Sequence, residues 1–297
     1  MNIRSDLAFE VRDMVKEETG KKDIDGVISE NRNVDGFEIK TVKITNNSGA
    51  EKIGKPIGEY VTLEADPFVM REKDAFDKAC GVLGNILSSM LSKDHKGAVL
   101  VAGLGNQEIT SDALGPFAVK NTMVTRHLVR KASKYFGEMR QVAAIAPGVL
   151  ASTGMETGEI IKSVAKDSEI SAIIAVDALA SRSINRLCRT VQISNTGIIP
   201  GSGVGNHRNA LNSETMGIPV IAVGVPTVVY AGTLAYDIAT SAGLQTIESE
   251  LSKYSGDLIV TPRDIDENIR DMAKLIGYGI NMALHDLDVS DITMFLS

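Results

Sequence analysis

An apolar run, Ala98-Val99-Leu100-Val101-Ala102, ends in Gly103-Leu104-Gly105-Asn106 and sets the architecture of this chain. A short run that is apolar at every position and bounded by glycine is typical of a β-strand covered on both faces. Similar runs recur at residues 141–146, 170–176 and 219–225. Helical patterns separate many of them, at about residues 113–135, 155–167, 233–253 and 263–285. This alternation predicts an α/β fold with a mainly parallel, layered sheet and helices on both faces.

The N-terminal third has a different pattern. Residues 7–18 carry apolar side chains at helical spacing, whereas residues 37–45 and 59–65 alternate apolar and polar side chains, as half-buried strands do. Asn46–Gly49 predicts a turn between these two strands. We therefore expect an antiparallel N-terminal addition to the parallel sheet. Because no repeat, low-complexity tract or obvious linker interrupts the chain, residues 1–297 are predicted to form a single domain.

Composition narrows the classes of function. The chain has 297 residues, of which 43% are hydrophobic, and a net charge of -7. It has no cluster of Lys and Arg to meet phosphates, which argues against nucleic acid or an anionic membrane as a direct partner. Neither a run of about 18 apolar residues nor the apolar core of a signal peptide occurs. Cys80 and Cys188 lie far apart and fit two ordinary thiols, so a cytoplasmic protein is expected.

Two aspartates follow predicted strands and are the main candidates for chemistry. Asp112 lies in the loop after the first run, and Asp177 directly follows residues 170–176. In parallel sheets, ligands bind beyond the carboxyl ends of the strands, where such loops converge. Two neighbouring carboxylates cannot both ionise at low cost, so one can act as an acid and the other as a base that activates water. Each also has a structural interpretation, Asp112 as a helix N-cap and Asp177 as a hydrogen-bonded loop residue, and position alone favours these roles.

The remaining motifs predict neither a cofactor nor a metal. Glu108 replaces the third glycine of a dinucleotide fingerprint, and no Gly-Lys-Ser/Thr phosphate loop occurs. The four histidines form no H-E-x-x-H pair, and no G-x-S-x-G nucleophile motif is present. His127 falls in a predicted helix, where a packed or surface role is expected. His207 falls in a glycine-rich loop and is the better candidate to lie near a site.

Taken together, several motifs resemble the bacterial spore germination proteases. The resemblance runs from Arg4 almost to the C-terminus, and the motifs are specific in combination although each is weak alone. The matching stretches are Gly103–Asn106, Thr110–Pro116, Ala146–Leu150, Val176–Ile184, Asn195–Arg208, Gly224–Val228, Thr261–Asp266 and Ala283–His285.

The resemblance implies an endopeptidase that degrades small acid-soluble spore proteins during germination, in the cytoplasm of the forespore and spore core. It also implies a homotetramer and a fold similar to that of hydrogenase maturation proteases. The essential aspartates of the family fall at Asp112 and Asp177. The resemblance therefore favours a catalytic role for both residues over the structural roles that position alone favours. Further active-site neighbours are expected at Asn106, His127, Arg182 and His207.

The family is made as a zymogen, and the N-terminus resembles its processing site. Arg4–Glu10 matches the pattern acid–apolar–Ala–x–Glu that the substrates also carry. We predict self-processing between Asp6 and Leu7, with residues 1–6 as a propeptide. The plainer interpretation is the start of an amphipathic helix, capped by Ser5 or Asp6.

The sequence departs from the family pattern at two places, and two alternative functions remain open. Tyr230-Ala231 stands where the family has an acid, and the segment 229–260 is shorter than in other members. The same carboxylates could hold a hard divalent metal in a metal-dependent peptidase. The chain could also be a non-catalytic protein that binds small acid-soluble proteins and shields them.

Overall fold

The computed structural model describes residues 5–91, 97–200, 210–243 and 258–297. The strands are β1 (Val27–Val34), β2 (Phe37–Ile44), β3 (Gly58–Glu64), β4 (Ala98–Gly103), β5 (Val142–Ile145), β6 (Ile170–Ser181), β7 (Thr190–Ser194), β8 (Val220–Tyr230) and β9 (Ile259–Val260). The helices are α1 (Ala8–Thr19), α2 (Asn47–Ile53), α3 (Asp66–Val69), α4 (Ala75–Met90), α5 (Leu114–Lys120), α6 (Arg126–Lys131), α7 (Ser133–Phe136), α8 (Leu150–Thr153), α9 (Thr157–Asp167), α10 (Ser213–Met216), α11 (Ala231–Ser241), α12 (Ile265–Leu284) and α13 (Val289–Leu296). Two short 3-10 turns cover Thr110–Asp112 and Ile184–Arg186.

These strands form one sheet in the order β1-β2-β3-β7-β8-β6-β4-β5, and β9 pairs with β8. The neighbours β5, β4, β6 and β8 run parallel to one another. All pairings among β1, β2, β3, β7 and β8 are antiparallel. The predicted α/β class and the N-terminal antiparallel addition are therefore confirmed. The antiparallel part also includes β7, which lies well beyond the N-terminal third.

The parallel strands are covered on both faces, which explains their apolar sequences. Val99 and Val101 of β4 pack into a large core with α4, α5 and α12. Leu100 and Ala102 point to the other face and pack with Ile161 of α9. Alternate side chains of a strand point to opposite faces, so a strand between two layers of helices must be apolar at every position.

The N-terminal elements form a third core. Leu7, Ala8 and Phe9 at the start of α1 pack with Tyr60 of β3 and Leu179 of β6. The turn expected at Asn46–Gly49 is instead the start of α2, because the Asn46 side chain accepts a hydrogen bond from the N–H of Gly49 at 2.8 Å and caps that helix. Within the part of the chain that the structure describes, no helix is long and apolar enough to cross a membrane.

Candidate active site at the carboxyl edge of the parallel strands

Asp177 lies where β4 ends and β6 continues. Gly103, the last residue of β4, pairs with Val176, and the next N–H, of Leu104, donates to the Val176 carbonyl at 2.8 Å. Asp177 is therefore the first residue of β6 beyond the end of β4. Its side chain is 5% exposed, and its Oδ1 accepts a hydrogen bond from the N–H of Ala178 at 2.9 Å. This position is at the carboxyl edge, where the strand-end rule expects a ligand site.

Asp112 ends the 3-10 turn that follows β4. Its Oδ2 accepts a hydrogen bond from the N–H of Asn106 at 2.7 Å, and its own N–H donates to the Ile109 carbonyl at 2.8 Å. The N-cap of α5 is Ala113, and no side chain caps that helix. The half-buried Asp112 carboxylate therefore binds the loop after β4 and does not serve as the N-cap of α5.

Two glycines let the Asp112 turn lie directly against the strand ends. A Cβ on Gly105 (φ +104°) would lie 2.1 Å from the Asp112 carbonyl oxygen. A Cβ on Gly115 would lie 2.3 Å from the Leu104 carbonyl oxygen and 2.5 Å from that of Val176. Contacts this close exclude any side chain. The start of α5 therefore packs on the peptide that immediately precedes Asp177.

Thr227 fixes the same turn from the neighbouring strand. It is 1% exposed within β8, and its hydroxyl donates to the Ser111 carbonyl at 2.7 Å. Asp177 pairs with Gly224, three residues earlier in β8. The Asp112 turn contacts both β6 and β8. Sequence reasoning missed Thr227, although a hydroxyl inside an otherwise apolar strand is a usable signal.

Of the other residues predicted to neighbour the aspartates, Asn106 lies at the site and His127 does not. Asn106 lies beside Asp112, as described, and its Oδ1 accepts from the N–H of Glu108 at 3.0 Å. His127 is exposed on α6, two residues after Thr125, whose N–H donates to Val142 at the start of β5. That is the amino edge of the parallel strands, so the structure does not bring His127 to the aspartates within one chain. His207 lies outside the described residues.

The N-terminal segment docks on β6 and β7 through Asp6. The Asp6 N–H donates to the Ala180 carbonyl at 2.9 Å, and the Ala180 N–H donates back to Asp6 Oδ2 at 2.8 Å. Gln192 of β7 donates from Nε2 to the Asp6 carbonyl at 2.9 Å. Leu7 is completely buried. The bond predicted to be cleaved is therefore held inside a docked segment.

Arg182 belongs to this docking region. Its guanidinium contacts Asp237 of α11 at 3.0 Å and Glu17 of α1 at 3.1 Å. Its backbone N–H donates to the Glu10 carboxylate at 2.7 Å, and so does that of Ser183 at 3.2 Å. Arg182 follows the end of β6, five residues after Asp177, and these contacts hold α1 in place.

A cavity of about 300 Å³ lies beside the docked segment. Asp6, Lys55, Gln192 and Gly224 are among its lining residues. Burial lowers the pKa of Lys55, and the carboxylate of Asp6 opposes that shift. Since Gly224 is the register partner of Asp177, the cavity adjoins the strand pair that carries this aspartate.

Lys55 and Gln192 were not found by sequence reasoning. The only signal for Gln192 was a long polar side chain inside a strand of β-branched residues. Among the described residues, no group of three or more His, Cys, Asp or Glu side chains is arranged to hold a metal ion.

Comparison with known proteins gives a consistent result. A sequence model of a family described as germination protease matches residues 6–242. The germination protease of Caldanaerobacter subterraneus subsp. tengcongensis is 44% identical over 310 residues, which cover 96% of this chain and 94% of that protein. The germination protease of Clostridium perfringens is 42% identical over 324 residues, which cover 100% of this chain and 99% of that protein. The germination protease of Bacillus velezensis is 40% identical over 345 residues, which cover 96% of this chain and 94% of that protein.

Chains of solved structures match as well. One of them is the [NiFe] hydrogenase maturation protease HycI from Thermococcus kodakarensis, with a TM-score of 0.36 and 16% sequence identity. The match covers 66% of this chain and 98% of HycI.

Proposed function

The chain belongs to the germination protease family and is therefore a peptidase, and we propose that it is an endopeptidase that activates water with Asp112 and Asp177. We propose small acid-soluble spore proteins as its substrates. The observation that carries the proposal is the packing of Gly115 on the Val176 carbonyl, because it brings the Asp112 turn against the peptide that precedes Asp177.

The two carboxylates divide the proton transfers of peptide hydrolysis. One carboxylate accepts a proton from water as the water oxygen attacks the scissile carbonyl carbon. The other, protonated beforehand, gives its proton to the amide nitrogen as the C–N bond breaks. The pair holds one proton before and after the reaction, so it is ready for the next cycle. The N–H of Asn106 keeps the Asp112 carboxylate in a fixed orientation.

A mass-spectrometric digest tests this activity. The purified chain is incubated with a small acid-soluble spore protein, and the products are read for discrete cuts between an acidic and an apolar residue. Asp112→Asn and Asp177→Asn are each expected to lose about 10²–10⁴-fold in turnover. The matched control is Asp66→Asn, an exposed carboxylate that pairs with Arg189 at 2.9 Å and should retain full activity. Intact substrate with the unmodified chain, or near-normal turnover in either active-site variant, would end the proposal.

We propose further that the chain processes itself between Asp6 and Leu7. The segment must first leave its docked position, because Leu7 is buried and Asp6 is bonded to Ala180 and Gln192. N-terminal sequencing of aged protein is expected to show Leu7 as the new first residue. The Asp177→Asn variant should keep its original N-terminus. Fully active protein that retains residues 1–6 would reject the processing step and leave the peptidase proposal intact.

We also propose that the chain forms a homotetramer and acts in the forespore and spore core. This rests on family membership. Sedimentation equilibrium of the purified chain is expected to give four times the chain mass, and a monomeric mass at micromolar concentration would overturn the assembly.

A further inference from the structure

At the amino edge of the sheet, Arg126, Arg140 and His285 have buried side-chain nitrogens that meet no hydrogen-bond partner in the described part of the chain. Arg126 is anchored separately, because its Nη2 donates to the Ser168 carbonyl at 3.1 Å. In the other two side chains the unpartnered atoms are Nε and Nη2 of Arg140 and Nε2 of His285. Arg140 lies two residues before β5, and His285 directly follows α12 with 8% of its surface exposed. This is the opposite edge from Asp112 and Asp177, so neither side chain belongs to the candidate active site.

The fold brings these two side chains to one place. One helical turn before His285, the Oδ1 of Asn281 accepts a hydrogen bond from the N–H of Met123 at 2.8 Å. Two residues after Met123, the hydroxyl of Thr125 donates to the Arg140 carbonyl at 2.5 Å. Residues 123–125 therefore connect the end of α12 to the backbone that carries Arg140.

The electrostatics agree with this proximity. Burial and, to a smaller extent, the positive charge of Arg140 together lower the pKa of His285 to about 4. Burial also lowers the pKa of Arg140 itself. Even so, a guanidinium keeps its charge near neutral pH, whereas His285 is neutral there. The result is a partly buried guanidinium, with Nε and Nη2 enclosed, beside a neutral imidazole.

The chemistry of these groups points to an anion. Enclosed N–H groups of a charged guanidinium are unfavourable without an acceptor, and the acceptor that best matches their charge is negative. Nε and Nη2 lie on one edge of the guanidinium plane and together fit two oxygens of a carboxylate or phosphate. A neutral imidazole protonated at Nε2 supplies one more donor.

We propose that Arg140 and His285 form a binding site for a small oxyanion, of the phosphate or carboxylate class. Arg140 holds two oxygens of the anion along its Nε–Nη2 edge, and His285 donates its Nε2–H to the same anion. The site is independent of the proposed peptidase activity, because none of its residues touches the carboxyl edge.

Calorimetry and thermal unfolding of the full desalted chain test this site. Inorganic phosphate and acetate are titrated separately, each against chloride at equal ionic strength. At least one of them is expected to bind saturably and to raise Tm by about 2–4 °C at roughly ten times its Kd. Preference for phosphate or for acetate identifies which class of oxyanion the site takes.

Variants assign the binding to these residues. Arg140→Gln is expected to abolish both the heat and the Tm rise. Arg130→Gln is the matched control, because Arg130 is an exposed arginine on α6 already bonded to Glu169 at 2.9 Å. It should bind as the unmodified chain does. If Arg140→Gln does not fold, Arg140→Lys keeps the charge without the planar edge and should weaken binding at least tenfold.

A histidine NMR spectrum gives a second readout. The resonance that disappears in His285→Asn is expected to shift when the preferred anion is added, and the other histidine resonances are not. Absence of saturable binding by both anions, or equal binding by Arg140→Gln, would overturn the site.

Discussion

Two segments of the molecule are held by different means. The Asp112 turn packs on the parallel half of the sheet (β4, β5, β6 and β8), whereas the N-terminal segment docks on β6 and on β7 of the antiparallel half (β1, β2, β3 and β7). In the parallel half, backbone packs directly on backbone at Gly105 and Gly115, which leaves the Asp112 turn no alternative position. The N-terminal segment is held instead by hydrogen bonds that Ala180, Arg182 and Gln192 donate to Asp6 and Glu10. Steric packing suits a fixed catalytic geometry, whereas a hydrogen-bonded segment can undock without disturbing the sheet.

The largest effect is expected when a methyl group is added at Gly115, where the Asp112 turn packs on the parallel strands. Gly115→Ala places a Cβ against backbone atoms of Leu104 and Val176, none of which is a flexible side chain. The free energy of unfolding should fall by about 3 kcal/mol or more. Gly81→Ala in α4 is the control, since its Cβ meets only the Met282 methyl group at 4.0 Å. That variant should be stabilised by about 0.5–1 kcal/mol, and equal denaturation midpoints for the two variants would contradict the steric argument.

A pH titration examines the buried histidine on the parallel side. His285 has a folded pKa of about 4, below its ordinary value of 6.5. The unfolded chain therefore takes up this proton first as the pH falls. The stability contribution of neutral His285 is complete above about pH 6.5 and is lost on acidification to pH 4, by about 3 kcal/mol. Denaturant unfolding at several pH values should show this slope in the unmodified chain and a weaker slope in His285→Asn. Identical slopes would show that the burial of His285 does not control its protonation.

Glu10 tests the hydrogen-bonded docking of the N-terminal segment. Its buried carboxylate accepts N–H groups from Arg182 and Ser183 and the hydroxyl of Ser5. Glu10→Gln should destabilise the chain by about 1–3 kcal/mol and speed proteolysis of the N-terminal segment by an added protease. Glu17→Gln is the control, because Glu17 is exposed and contacts Arg182 only at the surface. Equal protease sensitivity in both variants would remove Glu10 from the docking mechanism.

The smallest effect is expected at the outer strand of the antiparallel half. Ile28 in β1 is 53% exposed, so Ile28→Thr should change the free energy of unfolding by no more than about 0.5 kcal/mol. Ile39→Thr in the adjacent β2 removes a side chain that is 1% exposed and should cost several times as much. Chemical denaturation measures both, and a large loss for Ile28→Thr would show that β1 is covered in solution.

The same division of the sheet explains what the sequence could predict. The parallel strands were found because a strand buried on both faces must be apolar throughout. β1 was missed because most of its side chains are exposed and polar. A usable signal lay in the turn after it, where Asp35 (φ 54°) and Gly36 (φ 92°) form the Asp-Gly pair of a tight hairpin.

β7 was missed for a different reason. Its buried polar side chains are satisfied by distant partners, such as Glu64 for Thr190 and the N-terminal segment for Gln192. Such pairings join residues more than a hundred positions apart and leave no local pattern. The candidate site shows the same limit, since the strand-end rule locates Asp112 and Asp177, but the contacts of Thr227 and Gly115 that fix the turn are long-range.

A double-mutant cycle on the two aspartates measures most directly whether they handle one water. Turnover of one small acid-soluble spore protein is compared for Asp112→Asn, Asp177→Asn and the double variant, each shown to be folded. The shared-water mechanism predicts a loss of about 10²–10⁴-fold in each single variant and almost no further loss in the double variant. Single-variant losses that multiply in the double variant, or a single variant that keeps near-normal turnover, would contradict it.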